Sequence, residues 1–593
     1  MNRNIKQNIF NLIKSFFIAF SWMNIGNLES SSILVICAFI ASFILLSYKN
    51  AIIETSTKAA TFASYILGGL FAVLYSFFAD LTGGLSNKLF IIVYVFCTVA
   101  GLFFMFSELL LIIISKAEKK KINDSPKPFS AKVLFIYAGI IFVCTIPFLA
   151  LNFPGVMTPD SLSQYKQIIG TEPWINHHPW VHTEIFGFFF NLGSLFTDNV
   201  YIAIACYTVF QMLFVSFGVA YCIECMYEFG FNRKVRIALL LCFILLPYNL
   251  IYAVTIWKDI IFSIAVLVLT VTLLRISQKF SARDMVLFIV CGILMCLIRH
   301  NGFYAFVATG IIFIVFNLIT KRKMTRFLIC FIAVSLTAIL FRGAIPNALG
   351  IEPDQFVYNV PIPLQQIGAV VAGDLEITAE EEAFLRNINS LEYIKENYSP
   401  QGADAMSVWV LSGNADFFNS NKGDFFKMWW KLGLRYPATY FRAYVEITKG
   451  YWAPMQPQQT VFFGITEGYS ELSSQPLING PVQVKINELL YKLHTMIPVY
   501  GFMYSMGGFF WVLLVLIAIC IVRACNKKDA AKTDSKSVLV ASSQIYKILC
   551  MVPLIMLTGT LLAATPLVAD LRYNYALMIT LPYLIFEVLR KDS

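Results

Sequence analysis

The sequence predicts an all-α polytopic membrane protein, a bundle of about 12–14 transmembrane helices with outer-face loops and a small helical extracytoplasmic cap. Three observations predict it. Of 593 residues, 58% are hydrophobic and only 13% charged, with a mean hydropathy of +0.70, against about 25% charged in a soluble domain. Apolar runs long enough to cross about 30 Å of hydrocarbon recur along the chain. Lys and Arg gather in short loops that one threading can place together on the cytoplasmic side.

The apolar runs lie near 8–23, 31–47, 60–80, 88–115, 133–151, 201–226, 237–254, 260–275, 285–298, 303–320, 327–345, 500–523, 545–564 and 573–589. The first leads from Met1–Lys6 with no small-residue cleavage site, so it is expected to stay as an anchor. The basic loops are 116–132, 232–236, 275–284, 321–326, 523–536 and the final "RKDS". They account for the formal charge of +10 as an orientation signal, which excludes nucleic acid as a partner. None of the thirteen cysteines falls between Pro346 and Tyr500, which excludes a disulfide-stapled outer domain. The chain divides into N-terminal helices with a basic loop (1–132), a transmembrane core with outer loop 152–200 (133–345), a cap (346–499) and C-terminal helices (500–593).

This threading sends outward the stretch "TPDSLSQYKQIIGTEPWINHHPWVHTEIFG" (158–187), the turns "TIWKDI", "IRHNGF" and "VADLRYNY", and the cap, so that all five histidines, His494 included, share one side. Residues 183–197 are too few to cross and should lie along the outer surface. In the cap, "TAEE" at 378–381 fits a capping box, and "KGDFFKMWWKLGLRYPATYFRAYVEITKGYW" reads as two amphipathic helices, the second begun by Pro437.

Each outer turn has a bland reading: Trp257 as a belt aromatic, Lys258 and Arg572 snorkelling, Asp259 capping a helix. Three turns that each set a cation at one depth, Lys258, Arg299 and Arg572, point instead to a phosphate site. Asp160, after Pro159, either caps a helix or projects a carboxylate as a general base. His178 and His182 have the i, i+4 spacing of metal ligands, so a divalent metal is possible; Pro179 opposes a shared helical face. The other role for His177 and His178 is hydrogen bonding to phosphate, with Gln164, Trp180, Trp257, Asn301 and Tyr573 as further candidates for substrate contact.

The segments "PGVMTPDSLSQY…HHPWVHT", "WKD", "RHNG" and "LRYNY", in this order over about residues 133–590, resemble the C-class membrane glycosyltransferases (GT-C fold), such as protein mannosyltransferases and lipid A aminoarabinose transferases. The resemblance implies a GT-C-like bundle in a bacterial cytoplasmic membrane, a polyprenyl-phosphate sugar donor, and a glycan, lipid or protein acceptor on the outer side. By position, Asp160 would take the acceptor's proton and Arg572 would contact the donor phosphate. Many relatives carry two adjacent acids where this chain has Asp160 followed by Ser161, which leaves Asp160 as the sole base there. The alternatives are a polymerase or ligase of lipid-linked glycans and a transporter or flippase; no internal repeat supports the last.

Overall fold

The computed structural model describes residues 3–53, 56–77, 81, 87–119, 127–278, 281–321, 324–454, 461–497, 500–530 and 535–590. Among them the chain is helical, and strand pairing is confined to isolated bridges. Nine described helices are long and apolar enough to cross a membrane, ten if one bent pair counts as a span. The other expected spans are also helices, Arg3–Ile25, Ile33–Ile53, Ala282–Ile298 and Tyr575–Leu589; the first carries more polar residues, the last two are short, and the second is described with its side chains only over Ile33–Lys49. Parts of the basic loops, residues 120–126, 279–280, 322–323, 531–534 and 591–593, lie outside the described residues.

The helix Lys258–Gln278 is the hub. Its sequence is apolar on every side, and such a helix must be covered all round; 89% of its span is buried. It packs on Val200–Glu228, Ala282–Ile298, Ser535–Ala563 and Tyr575–Leu589. Gly218 permits the first of these contacts, because a Cβ there would stand 2.3 Å from the Ile264 side chain.

The bent pair joins Arg233–Ile244 to Pro247–Val254 at 65°. Pro247 has no N–H to continue the ladder, and the Asn249 amide donates to the Phe243 carbonyl at 2.9 Å, covering an acceptor that the break frees.

The cap has a core of its own, with Leu364, Ile367, Trp409, Phe425 and Leu432 among its buried residues. Its expected local signals are present: the Thr378 hydroxyl accepts from the Glu381 N–H and the Glu381 carboxylate from the Thr378 N–H, and Pro437 opens Pro437–Trp452. That helix lies across one end of three spans, where Val445 and Trp452 pack with Leu74, Phe510 and Leu562.

In the N-terminal helices, Glu108 is buried between Lys14 and Lys49, at 2.7 Å from the latter. Both lysines stabilise the carboxylate against the apolar surroundings that would otherwise exclude it. Removing one partner strands a buried charge at a cost of about 3–5 kcal/mol. Glu108→Gln is therefore expected to lower the melting temperature of the purified protein, and Glu108→Leu combined with Lys14→Met to recover part of the loss. Thermal unfolding in detergent tests both.

Candidate functional site

The stretch that opens the outer loop is held in an extended conformation by its neighbours on both sides. The Val156 N–H donates to the Val254 carbonyl (3.0 Å) and the Ile256 N–H to the Val156 carbonyl (2.9 Å), while Met157 pairs in the same way with Gly464 and Thr466. Gly155 makes this approach possible: its φ of +150° and the Thr208 hydroxyl, which would lie 2.6 Å from a Cβ, both exclude a side chain. The Trp257 indole N–H then donates to the Thr158 hydroxyl (2.7 Å). These bonds set the first turn of Pro159–Ile168, which carries Asp160, opposite the first turn of Lys258–Gln278. A carboxylate at a helix N-terminus is favoured by the exposed N–H groups and the helix dipole.

Asp160 Oδ2 meets Arg572 Nη1 at 2.9 Å and Lys258 Nζ at 3.4 Å. Lys258 also donates to His178 Nδ1 at 2.8 Å. Arg572 is braced by Asp570 (2.7 Å) and lies over the rings of Trp257 and Tyr573, 4.7 and 4.9 Å from their centroids. The Asp160 side chain keeps 28% of its surface accessible, against 11% for Arg572, so it is the member open to an incoming group. Burial works to raise the Asp160 carboxyl, but Arg572 and then Lys258 hold it well below the usual carboxylate range. Burial and Lys258 keep His178 neutral, well below the ordinary imidazole value.

A second network fastens this arrangement from behind. Gln164 donates to Thr183 (2.8 Å) and bonds His182 Nδ1 (3.0 Å); His182 Nε2 meets the Tyr207 hydroxyl (2.7 Å), which donates to Gln211 (3.2 Å). The Gln211 amide in turn donates to the carbonyls of Tyr252, Ala253 and Thr255, immediately before Trp257 and Lys258. The path ties the helix bearing Asp160 to the segment bearing Lys258. Of the residues expected to contact substrate, Gln164 is part of this scaffold and is 1% exposed, and the Trp180 indole donates to the Phe341 carbonyl (2.9 Å).

The histidine pair expected as metal ligands separates. The surface helix Trp180–Ser194 begins after Pro179, leaving His178 outside it, and both ring nitrogens of His182 are occupied. No group of three His, Cys, Asp or Glu side chains among the described residues could hold a metal. That helix exposes Phe188 and, just past its end, Leu195 and Phe196.

The remaining candidates sit around the cluster. His177 pairs with Asp354 (3.0 Å) and stacks on Tyr358. Arg299 pairs with the fully buried Asp259 (2.9 Å) and donates to the Tyr573 carbonyl, so it backs the cluster instead of pointing into it. Asn301 donates to Thr560 (3.0 Å). The side chain of His494 lies outside the described residues.

Sequence reasoning passed over Asp354 and Asp404 of the cap. Residues 401–403 pair with 566–568 (Val568 N–H to the Gln401 carbonyl 2.8 Å, Ala403 N–H to the Pro566 carbonyl 2.7 Å), which sets Asp404 close enough to feel both Asp160 and Arg572. Desolvation and then Asp160 push its carboxyl above the usual range. Nothing around Asp404 in the sequence signals this, because the contact joins segments far apart in the chain.

Residues 174–593 match a family of unknown function (DUF6020). No curated protein and no solved structure matches the chain.

Burial holds His182 at about 3, and His178 also stays neutral, whereas in the unfolded chain both take up a proton near 6.5. The unfolded state thus binds more protons than the folded one below that value, and stability falls with pH. The melting temperature is expected to decline from about pH 6.5 downward. The decline should be shallower in His182→Gln; a flat profile in the wild type would contradict the two neutral imidazoles.

Proposed function

The chain belongs to this family of unknown function, and from its own residues we propose that it is a membrane glycosyltransferase, which moves a sugar from a polyprenyl-phosphate donor to a cell-envelope acceptor on the outer face of a bacterial plasma membrane. The observation that carries this reading is one accessible carboxylate, Asp160, held between two cations from separate outer turns, Arg572 and Lys258.

The three groups divide the work. The acceptor hydroxyl or amine gives its proton to Asp160 as its oxygen or nitrogen attacks the anomeric carbon; the bond from that carbon to the phosphate oxygen breaks, and its electron pair leaves on the polyprenyl phosphate. Arg572 and Lys258 neutralise the departing charge, so the leaving group needs no proton. Direct displacement inverts the anomeric centre, as in glycosidases whose attacking group is activated on the opposite face. As it stands, Asp160 is a weak base, because both cations are paired with it. A phosphate that draws Arg572 and Lys258 to itself removes those counter-charges, so donor binding raises the proton affinity of Asp160 in the same event.

An apolar cavity of about 390 Å³ supports a lipid donor. It opens at the bent helix pair, between Cys242, Leu246, Tyr248, Leu267, Met578 and Phe586. From Tyr248, which lines it, the buried rings of Tyr575, Tyr252 and Trp257 form a row of contacts that reaches Arg572, with successive centroids 6.4, 5.0 and 5.4 Å apart. A hydrocarbon tail suits its walls and a phosphate suits the cluster beyond. The same bent pair favours lipid translocation as a second reading, since broken spans line transport sites; the absence of transfer by the protein together with movement of polyprenyl phosphate across vesicles would select it.

Asp160→Asn is expected to lower sugar transfer by about 10²–10⁴-fold, the usual contribution of a general base, with the fold retained by thermal unfolding. Full activity would reject the assignment. Arg572→Ala and Lys258→Ala should each weaken donor use by about 10²-fold or more, measured as kcat/KM for donor. Met578→Trp, which fills the cavity, should raise KM for a long-chain donor and leave that for a short-chain analogue unchanged; equal effects on both would remove the cavity from the tail path.

A further inference from the structure

The cap helix Lys422–Arg435 buries Phe425, Met428 and Leu432 against the cap core. On another face it exposes Phe426, Trp430 and Leu434, at 40%, 62% and 69%. These three are spaced by four residues, so they form one stripe along the helix. Lys427 and Lys431, both exposed, follow the stripe on its next flank. An apolar stripe edged with lysine is the pattern of a helix that lies in a membrane interface and attracts acidic headgroups.

The position of the helix agrees with its pattern. It turns directly into Pro437–Trp452, the helix laid across one end of three spans. Phe441, 52% exposed and one turn past the bend, packs edge-to-face on Phe77 at the outer end of Lys58–Ser76, with centroids 5.4 Å apart. Phe77 also touches Trp452. Phe441 thereby joins the second helix of this pair to the exposed apolar end of Lys58–Ser76.

We infer that the hairpin Lys422–Trp452 is a membrane-surface anchor, in which Phe426, Trp430, Leu434 and Phe441 enter the outer leaflet and Lys427 and Lys431 bind acidic phospholipid headgroups. The inference stands apart from the transfer reading and holds whatever reaction the protein performs. It assigns the cap a fixed height over Asp160, set by the bilayer.

The full-length chain carrying the photoreactive residue p-benzoylphenylalanine at position 430, and separately at Asp424 on a different face of the same helix, is placed in vesicles of phosphatidylcholine with or without phosphatidylglycerol. Irradiation should give a lipid adduct by mass at 430 and little at 424, severalfold more with phosphatidylglycerol present. Lys427→Gln with Lys431→Gln should remove that increase. A protein–protein adduct at 430, no adduct there, or equal lipid adducts at both positions would overturn the anchor; equal yields in the two vesicle types would overturn the headgroup assignment.

Discussion

A carboxylate near apolar surroundings is tolerated only where opposite charge reaches it, and in this protein that requirement organises one end of the helix bundle. Asp160 meets Arg572, 412 residues away in the chain, and Lys258, 98 residues away. For the three to meet, the helix Pro159–Ile168, the hub helix and the loop before Tyr575–Leu589 must end at one depth. The extended pairing of Val156 and Met157 with two other segments, the Trp257–Thr158 bond, and the Gln164–His182–Tyr207–Gln211 path all serve that alignment.

The cluster balances opposing demands. Two cations keep Asp160 ionised and the site folded, yet the same cations suppress its basicity. On the proposed reading, an anionic donor would resolve the conflict by drawing the cations to itself. Asp570 and Asp259 act differently: each holds a neighbouring arginine from behind and leaves the accessible side of the site to Asp160. Asp404 adds a further carboxylate from the cap, less readily ionised than Asp160 because burial and Asp160 itself oppose its charge.

The cap and the bundle are joined at two places. Residues 401–403 pair with 566–568, four residues before Arg572, and Pro437–Trp452 lies over three helix ends. The cap is thereby hydrogen-bonded to the loop that carries the central arginine. The bent pair contributes separately, since its break leaves the apolar cavity beside the row of aromatic rings.

Much of the fold was legible in the sequence because its determinants are local. Length and apolar content of a run reflect transfer from water to hydrocarbon, residue by residue, and they located the helices down to the weak ones such as Ala282–Ile298. The Thr378–Glu381 capping box, Pro437 at a helix start and Pro179 against a helical His178 were likewise decided within a few residues. The expectation that Asp160, Lys258 and Arg572 share one end of the bundle came from the placement of charge, and the three meet there. Tertiary structure alone decided which of these meet, turning Gln164, Trp180 and His182 inward, setting Arg299 behind the cluster with Asp259, and bringing in Asp354 and Asp404. Contacts across hundreds of residues depend on how whole helices pack, and hydrophobic periodicity is blind to partner and register. Only the folded chain could show that the charge layer gathers around one accessible carboxylate.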